Sequence, residues 1–287
     1  MRKAYLIMLG IMAGMAGMAQ TDTTGKKNPS PESSDTIRVG SIIIVKKGGE
    51  YRDDEGNQYP YKRSYRKERV STNWLILDLG ISNYNDRTDY GSAEAQTFVR
   101  NNNGNPPANK GDFRLKTRLS NVNIWLFMQR MSVYKNVVNL KYGFGIEMNN
   151  YYFKSNIRYK DDPATDPNVY VLRDAADFSK DKLAADYITV PFMLNFNTRP
   201  GGHSGGLSVS FGVSAGYLYS SRNKLKSHEF GKEKVKSDFN LDHWKLAYIG
   251  ELGLGPVKLY GSYAMNPMHE FGVKQYPYNV GVRFSSW

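Results

Sequence analysis

The chain has 287 residues, no cysteine, 21 tyrosines, 27 glycines and a formal net charge of +12. That length suits one or two domains, and a charged fraction of 23% is too ordinary for a disordered chain. The absence of cysteine excludes disulfides, thiol nucleophiles and thiolate metal sites.

The first residues, MRKAYLIMLGIMAGMAGMAQ, carry a basic start at Arg2 and Lys3, an apolar run from Ala4 and small residues up to Ala19. This predicts a secretory signal peptide over residues 1–19, cleaved near Ala19. The run is short for a membrane-spanning helix, and no later segment approaches 18 consecutive apolar residues. Loss of Arg2 and Lys3 takes the charge from +12 to +10. On an exported chain this excess points away from nucleic acid and toward outer-membrane lipid and lipopolysaccharide phosphates. Residues 20–73 read as a periplasmic N-terminal extension. It opens with a polar, proline-containing tether and has a short strand near 37–46 built on Ile42–Val45. The basic stretch PYKRSYRKER (60–69) closes it, as a contact for lipid headgroups or a periplasmic protein partner, or as a solvated linker.

From residue 74 the pattern alternates. Eight strands are predicted, at 74–84, 121–131, 137–153, 186–197, 207–219, 243–254, 257–265 and 276–287. In NLKYGFGIEMNNYY (139–152), Leu140, Tyr142, Phe144, Ile146 and Met148 share one face, and Lys141, Glu147 and the asparagines share the other. The second strand sets Val122, Ile124, Leu126 and Met128 on its apolar face. Ile76, Trp125, Phe127, Met193 and Ile249 fall on the polar parity, and Pro191, which has no donor for the ladder, predicts a bulge.

Alternation alone fits two arrangements. A soluble barrel or sandwich would turn the apolar face inward, and a membrane barrel would turn it outward. Three features favour the second. Glycines gather on the polar parity, where a narrow interior is crowded. Tyrosines lie toward strand ends, near Tyr187 and at Tyr217, Tyr248, Tyr263 and Tyr278, as interfacial girdles do. Strand lengths suit a tilted crossing of about 9–11 residues. Short connections also alternate with long ones, so all short turns fall at one end and all long loops at the other.

The sequence therefore predicts an all-β fold, an eight-stranded antiparallel up-and-down transmembrane β-barrel over residues 74–287, with short periplasmic turns and long outer loops. Leu140, Phe144, Ile146, Val209, Phe211 and Val213 are expected to face the membrane. Lys141, Glu147, Lys245, Glu251, Lys258 and Arg283 are expected to form a polar network in the lumen, or else a narrow ion path.

Three segments give the chain a family likeness. They are DTIRVGSIIIVKK (35–47), WLILDLGISNY (74–84) and KLAADYITVPFMLNF (182–196), whose Pro191 stands where that family's YLEIPLLL strand has its proline. With the leader ending MAQ, the chain resembles the outer-membrane β-barrel proteins of the Bacteroidota, the group that includes PorT-like proteins. The resemblance implies an eight-stranded barrel delivered by the barrel assembly machinery, and PorT-like proteins bring an association with protein secretion. A terminal aromatic is typical of assembly signals, yet Trp287 is out of phase with Val280, Val282 and Phe284.

Catalytic chemistry finds little support. His203, His228, His243 and His269 lack metal-ligand spacing and read as solvated loop residues. Asp161, Asp162 and Asp166 lack the glycine and glutamate of a calcium loop. GELGLGP (250–256) lies on an alternating strand with no helix after it, so it is no phosphate loop. No cofactor, metal site or catalytic residue is predicted. The expected function is non-catalytic, a structural or interaction role through the outer loops or the extension. The alternatives are a secretion component of the PorT-like kind, a narrow ion pore, and a lipid-modifying enzyme drawing on Ser220, Ser221, His228, His243 and His269.

Overall fold

A computed structural model describes residues 36–39, 42–45, 51–52, 58–59, 69–102, 104–198, 206–229, 231–254 and 257–285. The expected signal peptide, most of the tether and of PYKRSYRKER, His203 and Trp287 lie outside the described residues. The chain divides into two units, Met1–Tyr65 and Arg66–Trp287. In the first, β1 (Thr36–Val39) pairs antiparallel with β2 (Ile42–Val45), and β3 (Tyr51–Arg52) with β4 (Gln58–Tyr59).

The second unit is built on eight long antiparallel strands: β5 (Val70–Asp86), β7 (Asn121–Tyr134), β8 (Val138–Tyr152), β11 (Phe178–Asn197), β12 (Leu207–Ser227), β14 (Trp244–Leu254), β15 (Val257–Ala264) and β16 (Gln275–Phe284). Each pairs with the strand before and after it. The order 11-8-7-5-16-15-14-12 returns to β11 through a long β11–β12 ladder, so the strands form a ring. In this antiparallel order the strand ends at Tyr134 and Val138, Asn197 and Leu207, and Leu254 and Val257 share one end of the ring, and the ends joined by the long connections share the other. The β7–β8 turn holds Lys135 and Asn136 at φ 45° and 57°, the doubly positive geometry of a two-residue hairpin whose twist matches its strands.

Burial follows the predicted parity. On β8, alternate residues from Asn139 to Tyr151 are buried and those between them are half-exposed. The polar set faces in and the apolar set faces out. The inward residues Ile76, Trp125, Met128 and Met193 pack together, with Ile249 against them, so the apolar residues that interrupt the polar parity make a small core inside the ring.

Local expectations fail where the period slips. Leu126 is an extra residue in β7, and the register with β8 shifts between Trp125 and Phe127. Opposite it in β5, Leu75 sits at φ 53° and is exposed beside Trp74, which is 71% exposed. Beyond this bulge the parity inverts, so Met128 is fully buried and Phe127 turns outward, the reverse of the expected facing. Pro191 makes no bulge. Its register with β12 is continuous, while the pairing with β8 lapses at Val190 and Pro191 and resumes unchanged at Phe192. The missing N–H thus leaves a gap in one ladder without an inserted residue. Tyr187 is buried on the inward parity and belongs to no outer girdle.

The long connections are folded. Helix α1 (Ala93–Phe98) is capped by the Ser92 hydroxyl. It leads into β6 (Val99–Arg100), which pairs parallel with β10 (Val169–Arg173), itself antiparallel to β9 (Ile157–Asp161). A last strand, β13 (Gly231–Val235), extends the edge of β12. No described helix is long and apolar enough to cross a membrane.

Candidate functional site

Two polar nodes fill the ring. In the first, Asp78 accepts hydrogen bonds from Arg283 Nε and Nη2, both at 2.7 Å, from Trp125 Nε1 at 2.7 Å and from Asn123 Nδ2 at 3.1 Å. Arg283 Nη1 also donates to Glu251, which is ion-paired with Lys141 and accepts from Ser210 Oγ at 3.3 Å. In the second node, Glu147 takes an ion pair from Lys245, with Asn279 Nδ2 at 2.9 Å and Asn149 Nδ2 at 3.1 Å. Asn121 links outward from there, donating to Asn149 at 2.9 Å and accepting from the Tyr260 hydroxyl. Lys258, nearer the turns, donates to Ser285 Oγ at 2.8 Å.

The ring thus gathers Lys141, Glu251 and Arg283 at one node and Lys245 with Glu147 at the other, all buried. A buried ion survives only with its partners, because isolating one in a low dielectric costs several kcal/mol, on the order of 3–5 when a pair is broken. Asp78 is the site residue that sequence reasoning missed. It carries the most hydrogen bonds of the first node and is 0% exposed. Its parity, shared with Gly80 and Ser82, was the available signal. Between the nodes lies a cavity of about 30 Å³ lined by Trp125, Met193, Ile249, Glu147, Glu251 and Arg283. That is room for about one water.

On the outer face of the ring, Val209, Phe211 and Val213 are exposed, Phe211 by 54%, while Leu140, Phe144 and Ile146 are half-buried between their neighbours. The apolar surface continues through Leu246, Tyr248, Leu259, Val280 and Ile81 onto the other strands.

At the long-loop end the mouth is closed by a hydrophobic cap. Phe98, Phe113, Phe153, Ile157, Tyr159, Val171, Phe239 and Leu241 pack onto inward residues of the strand ends, among them Tyr84, Tyr151, Tyr187 and Leu218. The Tyr84 hydroxyl donates to the Phe113 carbonyl. Arg158 stitches the connections together, bonding Asp174 and Glu233 at 2.6 Å each, and those carboxylates outweigh burial to raise its guanidinium pKa.

His269 lies in this cap, contrary to the solvated loop position expected for it. It is 1% exposed, stacked on Tyr159 at 6.0 Å and edge-on to Phe98 at 5.3 Å. Neither ring nitrogen has a hydrogen-bond partner among the described residues. Burial pushes its pKa down to about 3, against a weaker upward pull from Asp86. The imidazole is therefore neutral, and its flat apolar faces pack like another aromatic ring.

The hydrolytic groups do not converge. Ser221 Oγ donates to the Ser237 carbonyl, Ser220 Oγ accepts from Arg222, and His243 is exposed beside Glu270 at 3.4 Å. Neither Ser220 nor Ser221 hydrogen-bonds a histidine in these contacts. Among the described residues no group of three His, Asp or Glu could hold a metal ion. Asp162 caps its own turn, accepting from Ala164 N at 3.0 Å.

No protein-family model matches the chain, and no curated protein matches it in sequence. Among solved structures it is similar to Ail, the attachment invasion locus protein of Yersinia pestis, determined in complex with the heparin analogue sucrose octasulfate. The identity is 13%, the match covers 75% of this chain and 98% of that one, and the TM-score is 0.27.

Proposed function

We propose that the protein is an integral outer-membrane β-barrel that performs no catalysis, with its short turns toward the periplasm and its folded cap outside. The observation that carries this reading is the band of exposed apolar side chains around a ring whose charged residues are buried inside. In water that arrangement exposes a very large apolar surface, which soluble monomers avoid. In a bilayer it is the arrangement of lowest cost, because a ring pairs every backbone group and hydrocarbon meets hydrocarbon.

The interior supports a sealed barrel. Among the described residues the two nodes, the Ile76–Trp125–Met128–Met193 cluster and the cap fill the ring, which supports a structural role for the polar network over an ion path. The outer cap is then the interaction surface, with lipopolysaccharide as its surroundings, the barrel assembly machinery as its route of insertion, and the N-terminal unit as the contact for a periplasmic protein partner. Kinship with the PorT-like proteins of the Bacteroidota belongs to the same proposal and rests on the segments quoted from the sequence. Affinity capture from membranes that recovers no secretion protein would remove a secretion role.

The test is fractionation with heat-modifiable gel mobility. The protein should stay with alkali-washed membranes and migrate faster unheated than heated. The cysteine-free chain allows a second arm. A Phe211→Cys variant should resist an impermeant maleimide in intact cells, and Lys234→Cys should react. Recovery as a freely soluble periplasmic protein would overturn the proposal.

A further inference from the structure

Strands β11 and β12 have 20 and 21 residues, roughly twice the 9–11 that a tilted crossing needs. Their excess, about residues 178–186 and 219–227, projects from the long-loop end with β13 alongside. A register shift at Tyr219 marks where it begins. On the outward face of this projection, lysines stand directly opposite one another. Lys182 pairs with Lys224, which pairs with Lys234, and Lys180 pairs with Lys226, which pairs with Lys232.

Six ammonium groups thus form two rows across three strands, Lys182 being largely buried with its ammonium donating to Asn150 Oδ1. Cross-strand neighbours lie about 5 Å apart at Cβ, and like charges so opposed are destabilising. Arg222 adjoins the rows, and Arg118, Lys180 and Lys182 surround the Tyr152 ring. The neighbouring carboxylate Asp186 is taken by Arg222 at 2.6 Å. Among the described residues no ion pair reaches any of the six lysines. Burial, then Lys180 and Arg222, push Lys182 down to about 8. Lys224 is lowered as well, by burial and then by Lys182, Arg222, Lys234 and Lys180. Lysines on an edge strand guard against aggregation. That accounts for Lys232 and Lys234 on β13 and not for the four on interior strands.

We infer that the two lysine rows bind the phosphate groups of an anionic glycolipid in the outer leaflet, and the inference rests on the membrane reading above. Continuity argues for a lipid as the source. Along β12 the outward residues run from Val213, Tyr217 and Tyr219 through Arg222 to Lys224 and Lys226, whereas on β11 Asp186 and Ala184 are buried between Ile188 and the lysines. On β12 one face passes from apolar to basic, matching an amphiphile with its acyl chains on the ring and its phosphates on the rows. Bound phosphate also relieves the opposed charges, so the ligand should stabilise the fold.

The test uses the full chain refolded in detergent micelles, with the unfolding midpoint read by mobility shift. Diphosphorylated lipid A should raise the midpoint by several degrees, and dephosphorylated lipid A and inositol hexakisphosphate should do so far less. A variant combining Lys180→Gln, Lys226→Gln, Lys232→Gln and Lys234→Gln should unfold at a higher temperature than the parent without lipid, because repulsion is gone, and should not respond to lipid A. The corresponding arginine variant should keep the response. Equal stabilisation by the dephosphorylated lipid or by the soluble polyphosphate would overturn the inference, as would an undiminished response of the glutamine variant. A heat-modifiable protein that ignores lipid A sinks only this inference. A chain that stays soluble without detergent sinks the membrane reading with it.

Discussion

Arg283 holds Asp78 through two parallel hydrogen bonds of 2.7 Å, and this fork ties the last strand of the ring to the first. The two residues are directly opposed in the β16–β5 ladder, both are buried, and the third guanidinium nitrogen reaches Glu251. Arg283→Met would leave two buried carboxylates short of their cation. The expected loss is about 3–5 kcal/mol. Asp78→Asn keeps an acceptor for Trp125 and Asn123 and should cost less. Urea titration in lipid vesicles, followed by the unheated band, ranks the variants. An Arg283→Met protein as stable as its parent would contradict the central role of this seam.

Much of this was legible because a strand has a period of two. Wherever the period holds, as from Asn139 to Tyr152, facing can be read residue by residue, and the six charges expected in the lumen all lie on the buried parity of their strands. Asp78 escaped because one carboxylate between Leu77 and Leu79 reads as an interruption of an apolar run. Met128 and Phe127 were misassigned because the bulge at Leu126 carries no glycine or proline to mark it. The cap was invisible for another reason. Phe98, Phe113, Phe153, Tyr159 and Phe239 come from separate connections with no shared period, and only the ring brings those connections together. Sequence spacing cannot encode contacts of that range.

Glycines facing into the ring, such as Gly212, and glycines facing out of it, such as Gly250 between Tyr248 and Leu252, have an unequal importance that the structure makes testable. A Cβ on Gly212 would meet the Phe192 carbonyl and lie 2.6 Å from Met193 Cα, both backbone of the paired strand. Neither can move without distorting the ladder. At Gly250 the nearest atom is the Ser210 carbonyl at 3.7 Å, an ordinary contact. Gly212→Ala should therefore destabilise strongly or prevent refolding, and Gly250→Ala should be tolerated. Refolding yield, read from the proportion of heat-modifiable protein, separates them, and equal yields would count against the crowding argument.

The cap and the ring should separate in their response to mutation. Tyr159 is buried in the cap core against Phe98, Phe153 and Phe239. Removing it, as in Tyr159→Ala, should cost the cap about 3–5 kcal/mol. The ring ladders do not involve this side chain. Heat-modifiable mobility should persist, while limited proteolysis should begin to cut within 154–177. Loss of both together would mean that the cap and the ring form one cooperative unit.

His269 gives the cap a dependence on acid. Its pKa is about 3 in the folded protein and about 6.5 when unfolded. Between those values the unfolded chain binds a proton that the folded cap refuses, so stability falls as pH falls. The contribution is fully present above about pH 6.5, and at pH 5 the loss is roughly 2 kcal/mol, from 1.5 pH units at 1.36 kcal/mol each. Asp181 works in the other direction, because burial raises its carboxyl and folding then takes up a proton. A His269→Phe variant isolates the histidine, since phenylalanine keeps the stacking on Tyr159 and removes the titration. Hydrogen exchange of cap amides at pH 7 and pH 5 should show faster opening at the lower pH in the parent, after correction for intrinsic rates. The variant should show less of that change or none. If parent and variant respond alike, the imidazole is not the group that refuses the proton.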